Sequence, residues 1–326
     1  MPLRHALVAE WPSGLGKGLQ SPVHGFDSRL RLYLGHRSAP VAIIGVVPRH
    51  RRGFFPEPIA AKVPEIIFLF WVIKILTTAG GEATSDYLAV SLGSRLEAGA
   101  IEAGVIEAAL FLIALVWQFR TTRYVAAAYW AFAYSIAIFG TGVADAMHLF
   151  IGIPYSGTTA LWAIVLAVIF ALWYRSERTL SIHSIYTQRR EVYYWAVVFA
   201  TFALGTALGD YTALALHLGY LASGILFFFV ILIPAAAWKW FRLNSVVAFW
   251  CAYVVTRPLG ASFADYFSKP HYLSGANYGD GPVALIITII VAVLVGYLAV
   301  ARPDIQRADQ QQVDRIAAVS DDVVGR

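Results

Sequence analysis

Eight apolar segments, each long enough to cross a bilayer, follow one another along the chain and limit its fold more than any other feature. About 20 apolar residues in a helix match the hydrocarbon thickness of a membrane. In lipid every backbone amide must be hydrogen-bonded inside the protein, which helices achieve, whereas weak two-residue alternation argues against a barrel. The predicted spans cover residues 64–89, 98–118, 124–149, 157–174, 192–215, 217–238, 244–267 and 282–301.

Composition and charge support a membrane protein and predict its orientation. Hydrophobic residues make up 59% of the chain and charged residues 14%, against about 25% charged residues in soluble domains. Every second loop is basic: three loops hold eight Lys and Arg residues, and the others hold only Arg95 and Lys269. Because basic loops stay in the cytoplasm, both termini are predicted to be cytoplasmic. The net charge of +5 then reflects orientation, with no nucleic acid as partner.

The polar ends of the chain flank one predicted membrane domain. Residues 1–61 are rich in Gly, Pro, Arg and Ser and are predicted to form a poorly ordered basic cytoplasmic arm; residues 304–326 form a polar cytoplasmic tail. The arm lacks the apolar run of a signal peptide. It either belongs to the native protein or is translated upstream of the true start. Residues 62–303 form the membrane domain, with repeats of about 62–120, 121–176, 190–239 and 243–303.

A pattern in the odd-numbered spans predicts four tandem copies of one two-helix unit. In each copy an aromatic residue and a tryptophan are followed ten residues later by glycine and fifteen residues later by aspartate. The tryptophans are Trp71, Trp130, Trp195 and Trp250; the glycines are Gly81, Gly140, Gly205 and Gly260; the aspartates are Asp86, Asp145, Asp210 and Asp265. Because each copy holds an even number of spans, the copies run parallel. The sequence therefore predicts an all-α integral membrane protein of eight transmembrane helices with pseudo-fourfold symmetry.

Each repeated residue type has a structural and a functional interpretation. The aromatic pairs either anchor their helix among lipid headgroups or line a cavity. The glycines are candidates for close helix packing, and a local break in the helix is the alternative. The aspartates lie about 22 Å beyond the tryptophans at 1.5 Å per residue. They either cap helices at the outer surface or face a cavity or partner inside the membrane, and their common depth favours the second interpretation.

Charged residues that single repeats carry are candidates for pairing inside the membrane. Lys74 and Glu82 belong to the first repeat and Arg257 to the fourth. Intramembrane charges cost roughly 2.5–3.5 kcal/mol each, so we expect Arg257 to pair with Glu82 or Asp86. The alternative is that Arg257 bonds backbone carbonyls or reaches the interface. Lys74 and Arg257 leave three of the five intramembrane carboxylates unbalanced, which predicts that these three are protonated, hydrated or bound to cations.

The remaining polar residues and the missing motifs argue against an enzyme. Glu102 and Glu107 in the second span are five residues apart, which does not place them on one helix face, and both are expected to be partly interfacial. One cysteine, Cys251, allows no internal disulfide and no cysteine metal cluster. The sequence has no phosphate-binding loop, zinc-protease motif or nucleophile elbow. We therefore expect no catalytic residues and no cofactor.

Four segments resemble a bacterial family called "membrane-anchored protein". They read KVPEIIFLFWVIKILTTAGGEATSDYL (62–88), SERTLSIHSI (176–185), YYWAVVFATFALGTALGD (193–210) and FWCAYVVTRPLGASFADY (249–266). The family is catalogued as a tandem membrane repeat of unknown function, with two spans and a tryptophan in each repeat. The resemblance covers about residues 62–303 and implies a multi-pass protein of the bacterial inner (plasma) membrane, with no established activity. Glu102 and Glu107 are atypical for it.

Two hypotheses about function follow. In the first, the chain is a secondary transporter or channel for a small solute, with a cation as the favoured substrate and a proton as coupling ion. The ion-binding candidates are Asp86, Asp145, Asp210, Asp265 and Glu82, and Lys74 and Arg257 set the charge balance. Carboxylates suit hard cations such as Mg²⁺, Ca²⁺ or Mn²⁺, and the sequence does not select among them. In the second, the chain is a non-transporting membrane scaffold or sensor whose repeats serve helix packing.

Overall fold

The computed structural model describes residues 55–91 and 96–306, and for these residues the all-α prediction is confirmed. They form eight α-helices and no strand. A π-helical turn at Tyr211–Ala215 extends the fifth helix. The helices are α1 (Phe68–Ser91), α2 (Leu96–Arg120), α3 (Ala126–Leu149), α4 (Tyr155–Glu177), α5 (Gln188–Asp210), α6 (Tyr220–Phe241), α7 (Ser245–Ser268) and α8 (Asp280–Ala301).

The four odd-numbered helices form a closed inner ring. Helix α1 contacts α3 and α7, and α5 contacts the same two helices, so every member touches two neighbours. The even-numbered helices lie outside, and each packs chiefly on the odd helix of the following repeat: α2 on α3, α4 on α5, α6 on α7 and α8 on α1. The last of these contacts closes the circle, because it joins the fourth repeat to the first.

Burial separates the inner ring from the outer helices. In the most apolar stretch of each helix, 56–72% of the residues are buried in α3, α5 and α7, against 17–22% in α2, α4, α6 and α8. Seven of the described helices are long and apolar enough to cross a membrane, and α1 is the exception. Polar residues such as Lys74 and Glu82 lower the hydropathy of α1, and both are buried inside the ring.

Aromatic contacts pass around the ring at the end where the odd helices begin, here called the tryptophan end. The aromatic residue before each tryptophan packs against the tryptophan of the next repeat. The pairs and their ring-centroid distances are Phe70–Trp130 (5.5 Å), Tyr129–Trp195 (5.2 Å), Tyr194–Trp250 (6.0 Å) and Phe249–Trp71 (5.7 Å). Trp130, Trp195 and Trp250 are at most 5% exposed. Headgroup anchoring is therefore the wrong interpretation for these three rings, which fill the space between helices.

The four repeated glycines face the next helix of the ring at one equivalent level. A Cβ atom placed at each glycine would lie 2.0–2.9 Å from a side-chain atom of the facing residue. The facing pairs are Gly81–Ala137, Gly140–Phe202, Gly205–Arg257 and Gly260–Thr78. In every repeat the facing residue stands seven positions after the tryptophan. Glycine thus allows close approach of the ring helices, and each of these helices continues unbroken through its glycine.

Segments before α1 and after α8 pack against the tryptophan end. The Ile59 N–H donates to the Thr122 carbonyl (2.8 Å), and Gln306 Nε2 donates to the Val63 carbonyl (3.1 Å). Residues 55–61, assigned above to the arm, and 304–306, assigned to the tail, therefore contact the helical domain. The rest of the arm (1–54), the rest of the tail (307–326) and Arg95 lie outside the described residues.

A buried ion pair at the same end joins three elements, and the sequence analysis had not singled it out. Lys62 Nζ lies 2.7 Å from Glu191 Oε2 and donates to the Gln118 carbonyl (2.9 Å). Gln118 Nε2 donates to Glu191 Oε1 (3.0 Å). Burial lowers the pKa of Lys62, although the Glu191 carboxylate opposes this. The contacts fasten the segment before α1 to the end of α2 and the start of α5.

Replacing Gly81 by alanine is expected to destabilise the protein, because the new Cβ would meet the Cβ and backbone of Ala137. Overpacking of this kind costs about 1–3 kcal/mol. The control is Gly104→Ala in α2, where no atom lies within 4 Å of the new Cβ and stability should rise by about 0.4–1 kcal/mol. Thermal unfolding in detergent micelles, followed by circular dichroism, measures both variants. A similar shift in the two would contradict the role assigned to the repeated glycines.

Candidate functional site

Arg257 lies at the centre of the inner ring, where its side chain is fully buried. Its Nη2 is 2.5 Å from Glu82 Oε2, so one of the two ion pairs expected for this arginine is present. Nη2 also donates to the hydroxyls of Thr141 and Thr206, at 2.5 Å for Thr206. One guanidinium group on α7 therefore contacts polar side chains from α1, α3 and α5.

Backbone carbonyls complete the surroundings of Arg257. Nη1 donates to the Thr78 carbonyl (3.0 Å) and Nε to the Phe202 carbonyl (3.2 Å). Ion pairing and carbonyl bonding were alternatives in the sequence analysis, and the structure contains both. A guanidinium group carries five N–H donors in a fixed plane, two of them on Nη2, so the carboxylate and the two hydroxyls around Nη2 share two hydrogens.

Glu82, Thr141 and Thr206 occupy one equivalent position, eleven residues after the tryptophan of their repeat. The two hydroxyls donate to Glu82 Oε2 over 2.9 and 3.2 Å. The sequence analysis identified Glu82 by its charge and missed both threonines. A comparison of this position across the four repeats would have found them, because only the fourth copy, with Ala261, has an apolar residue there.

Lys74 is buried in the ring without an acidic partner, contrary to the charge pairing expected from the sequence. Its Nζ has no hydrogen-bond partner among the side chains and backbone of the described residues. It lies 3.9 Å from the ring centroid of Phe202 and 4.3 Å from that of Tyr253, which are cation–π distances. Lys74 is eight residues before Glu82 in α1, which is about 12 Å along the helix axis. At that distance from the carboxylates, aromatic rings surround its ammonium group.

The four aspartates gather at the opposite end of the ring, here called the aspartate end. One carboxylate oxygen each from Glu82, Asp86 and Asp265 lies within 4.8 Å of the others. Asp145 and Asp210 interact electrostatically with the same Glu82 and Asp86. Asp265 is only 3% exposed, and the other three aspartates are partly buried. Glu82 and the four aspartates therefore form one acidic cluster, whose oxygen atoms are ligands that suit hard cations.

Lys269, which directly follows α7, contacts the acidic cluster from its outer side. Its Nζ is 2.6 Å from Asp86 Oδ2 and 3.3 Å from Asp280 Oδ1 at the start of α8. Burial lowers the pKa of Lys269, but the carboxylates of Asp86, Asp265 and Asp280 outweigh burial and hold the pKa above its ordinary value. The side chain is therefore an ammonium group at neutral pH.

Glu107 reaches the ring from α2, a contact that the sequence analysis did not predict. It is 1% exposed, and its Oε1 accepts a hydrogen bond from the Ser85 hydroxyl (2.6 Å). A Cβ atom at Gly142 would lie 1.9 Å from Glu107 Oε2, so this glycine leaves room for the carboxylate between α1 and α3. Glu102 is exposed, because five residues of helix turn it onto another face.

Four tandem two-helix units, with apolar outer helices around a ring that encloses buried charges, define a multi-pass helical membrane protein. The repeat family described as "Repeat of Unknown Function (DUF347)" matches the chain four times, at residues 69–124, 128–179, 193–244 and 248–303. The chain belongs to this family, and the predicted fourfold tandem repeat is confirmed. No curated protein and no solved structure matches the chain.

A double-mutant cycle is expected to show strong coupling between Arg257 and Glu82. Removing one partner of a buried ion pair costs about 3–5 kcal/mol because the other charge stays buried and unpaired. We expect Arg257→Met and Glu82→Gln each to lower the unfolding temperature in detergent by a large amount, and the double variant to lose clearly less than their sum. Arg242→Met together with Glu102→Gln, at two exposed positions, serves as the uncoupled control. Fully additive losses in the Arg257 and Glu82 cycle would refute the coupling.

Proposed function

We propose that the chain is a secondary transporter of a small cation in the bacterial inner membrane, with protons as coupling ions. In this proposal α1 is the eighth span, both termini are cytoplasmic and the aspartate end faces outwards. The alternation of basic and non-basic loops supports this orientation. The position of α1 in the inner ring, beside three helices that suit a membrane span, supports its assignment as a span.

The acidic cluster is the observation that carries the proposal. Together with Glu107 it places six carboxylates in or beside the ring, against the three cationic side chains of Lys74, Arg257 and Lys269. Excess negative charge in a poorly hydrated place must be protonated, hydrated or bound to cations. A group of carboxylates that exchanges protons for a cation is what coupled transport requires.

Packed side chains along the ring axis favour a transporter over an open channel. The Arg257–Glu82 pair lies on the inner side of the four aspartates, towards the tryptophan end. Further towards the tryptophan end, Lys74 packs on two aromatic rings, and the hydroxyls of Tyr129 and Tyr194 are hydrogen-bonded at 2.5 Å. A cation could pass only if these layers separated, so the proposed mechanism is alternating access, in which one part of the fold moves against another.

The same packed axis supports a second candidate, a non-transporting membrane scaffold or sensor. Single cysteines at positions 86, 145, 210 and 265, introduced with Cys251 replaced by serine, separate the two. Transport predicts that a water-soluble thiol reagent reaches these positions from the aspartate end and that the cation protects them. A scaffold predicts that they are either freely reactive or unreactive, without an effect of any cation.

Asparagine in place of Asp145 or Asp210 is expected to lower cation uptake by proteoliposomes about tenfold or more, equivalent to about 1.4 kcal/mol. The reason is that each substitution removes one negative charge from the cluster. Glu102→Gln is the matched control, since it removes an exposed carboxylate from α2 and should leave uptake unchanged. Failure of the wild-type protein to take up any of Ca²⁺, Mg²⁺, Mn²⁺, Na⁺ or K⁺ would count against transport. Normal uptake by both asparagine variants would count against a role of the acidic cluster in transport.

A further inference from the structure

We propose that the aspartate end binds a hard divalent cation, such as Ca²⁺, between Glu82, Asp86 and Asp265, and that Lys269 is a tethered counter-ion which this cation displaces. The inference rests on the proposed function, because it names the substrate class and the regulation of the same site.

The spacing of the three carboxylates allows one divalent cation to bind between them. Ca²⁺ binds oxygen at about 2.3–2.6 Å, so ligands on opposite sides of the ion stand up to about 5 Å apart, whereas Mg²⁺, at about 2.0–2.1 Å, holds them within roughly 4.2 Å. The ligand atoms of the three residues lie within 4.8 Å of one another. This upper limit is compatible with one Ca²⁺ ion bound between the three carboxylates.

The environment of Asp265 is independent evidence for a ligand between the three carboxylates. It is 3% exposed, and its Oδ1 has no hydrogen-bond partner in the part of the chain that the structure describes. Leaving such a buried oxygen without a partner destabilises the fold, and more so when the group is charged. The hydrogen bonds to Glu82 all fall on Oε2, which leaves its Oε1 for a ligand. A cation between the carboxylates would complete both groups.

Lys269 already supplies positive charge to this place. Its Nζ is 2.6 Å from Asp86 Oδ2, so a cation bound to that oxygen would meet the ammonium group at short range and repel it. The lysine side chain is 19% exposed and has a second partner in Asp280, whose Oδ1 is 3.3 Å away. The ammonium group can therefore leave Asp86 for water while it keeps one carboxylate contact.

Competition of this kind lowers the apparent affinity for the cation. If the ammonium group leaves the site free in only a fraction of the molecules, the observed Kd rises by the inverse of that fraction. The consequence suits a transporter, because the lysine neutralises the empty site and assists release of the cation.

Isothermal titration of the full-length protein in detergent with Ca²⁺ tests the proposal. With a free fraction of about one tenth, Lys269→Met should lower the Kd about tenfold. Lys269→Arg keeps the charge and should bind Ca²⁺ much as the wild type does. Lys239→Met, at an exposed lysine near the end of α6, is the matched control and should leave the Kd unchanged. Asp265→Asn should weaken binding about tenfold or more.

Unchanged or weaker Ca²⁺ binding by Lys269→Met would overturn the tethered counter-ion, and so would a lack of Ca²⁺ binding by wild type and variants alike. If the methionine variant does not fold, Lys269→Gln takes its place with the same expected outcome. Uptake by proteoliposomes is measured separately. If uptake is unchanged by every substitution of Lys269, the tethered counter-ion is rejected and transport is still supported. If Ca²⁺ binding depends on Lys269 but no uptake is measured, transport is rejected and the binding site is still supported.

Discussion

Close contact among four parallel helices is the constraint on which the rest of this structure depends. Glycine at one level of each ring helix brings the next helix near enough for a single guanidinium group to reach all of its neighbours. Arg257 cannot reach water from this position, and its burial is tolerable only because a carboxylate, two hydroxyls and two carbonyls surround it. The glycines and the arginine therefore support each other: the first allow the approach, and the second holds the helices together.

Differences between the four repeats place different side chains at equivalent positions of a ring that is otherwise close to symmetric. The fifteenth position after the tryptophan is aspartate in every repeat, whereas the eleventh is Glu82, Thr141, Thr206 and Ala261 in turn. The four aspartates give a ring of like charges at one end of the helices. The varied eleventh position gives a single ion pair, Glu82 with Arg257, on the inner side of that ring. Like charges repel at this range, so the cluster is stable only with protons, cations or Lys269 among its carboxylates.

The sequence could predict the repeats, the parallel run of the odd helices and the level of each charged residue. Levels follow from 1.5 Å per residue, which is why Arg257 and Glu82 could be suggested as partners. The rotation of each helix could not be predicted, because the side that faces lipid is as apolar as the side that faces protein. Burial of the tryptophans, the aromatic surroundings of Lys74 and the entry of Glu107 beside Gly142 depend on that rotation. Lys269 was counted only as a loop charge, since its contact with Asp86 joins residues distant in the chain.

Crystals grown with and without Ca²⁺ offer the most direct test of the account. The anomalous difference map is predicted to show one peak among the carboxylates of Glu82, Asp86 and Asp265, with the Lys269 ammonium group moved away from Asp86. A map without that peak, in which the four aspartates stand apart from one another, would contradict the claim that the ring of helices gathers them to hold a cation.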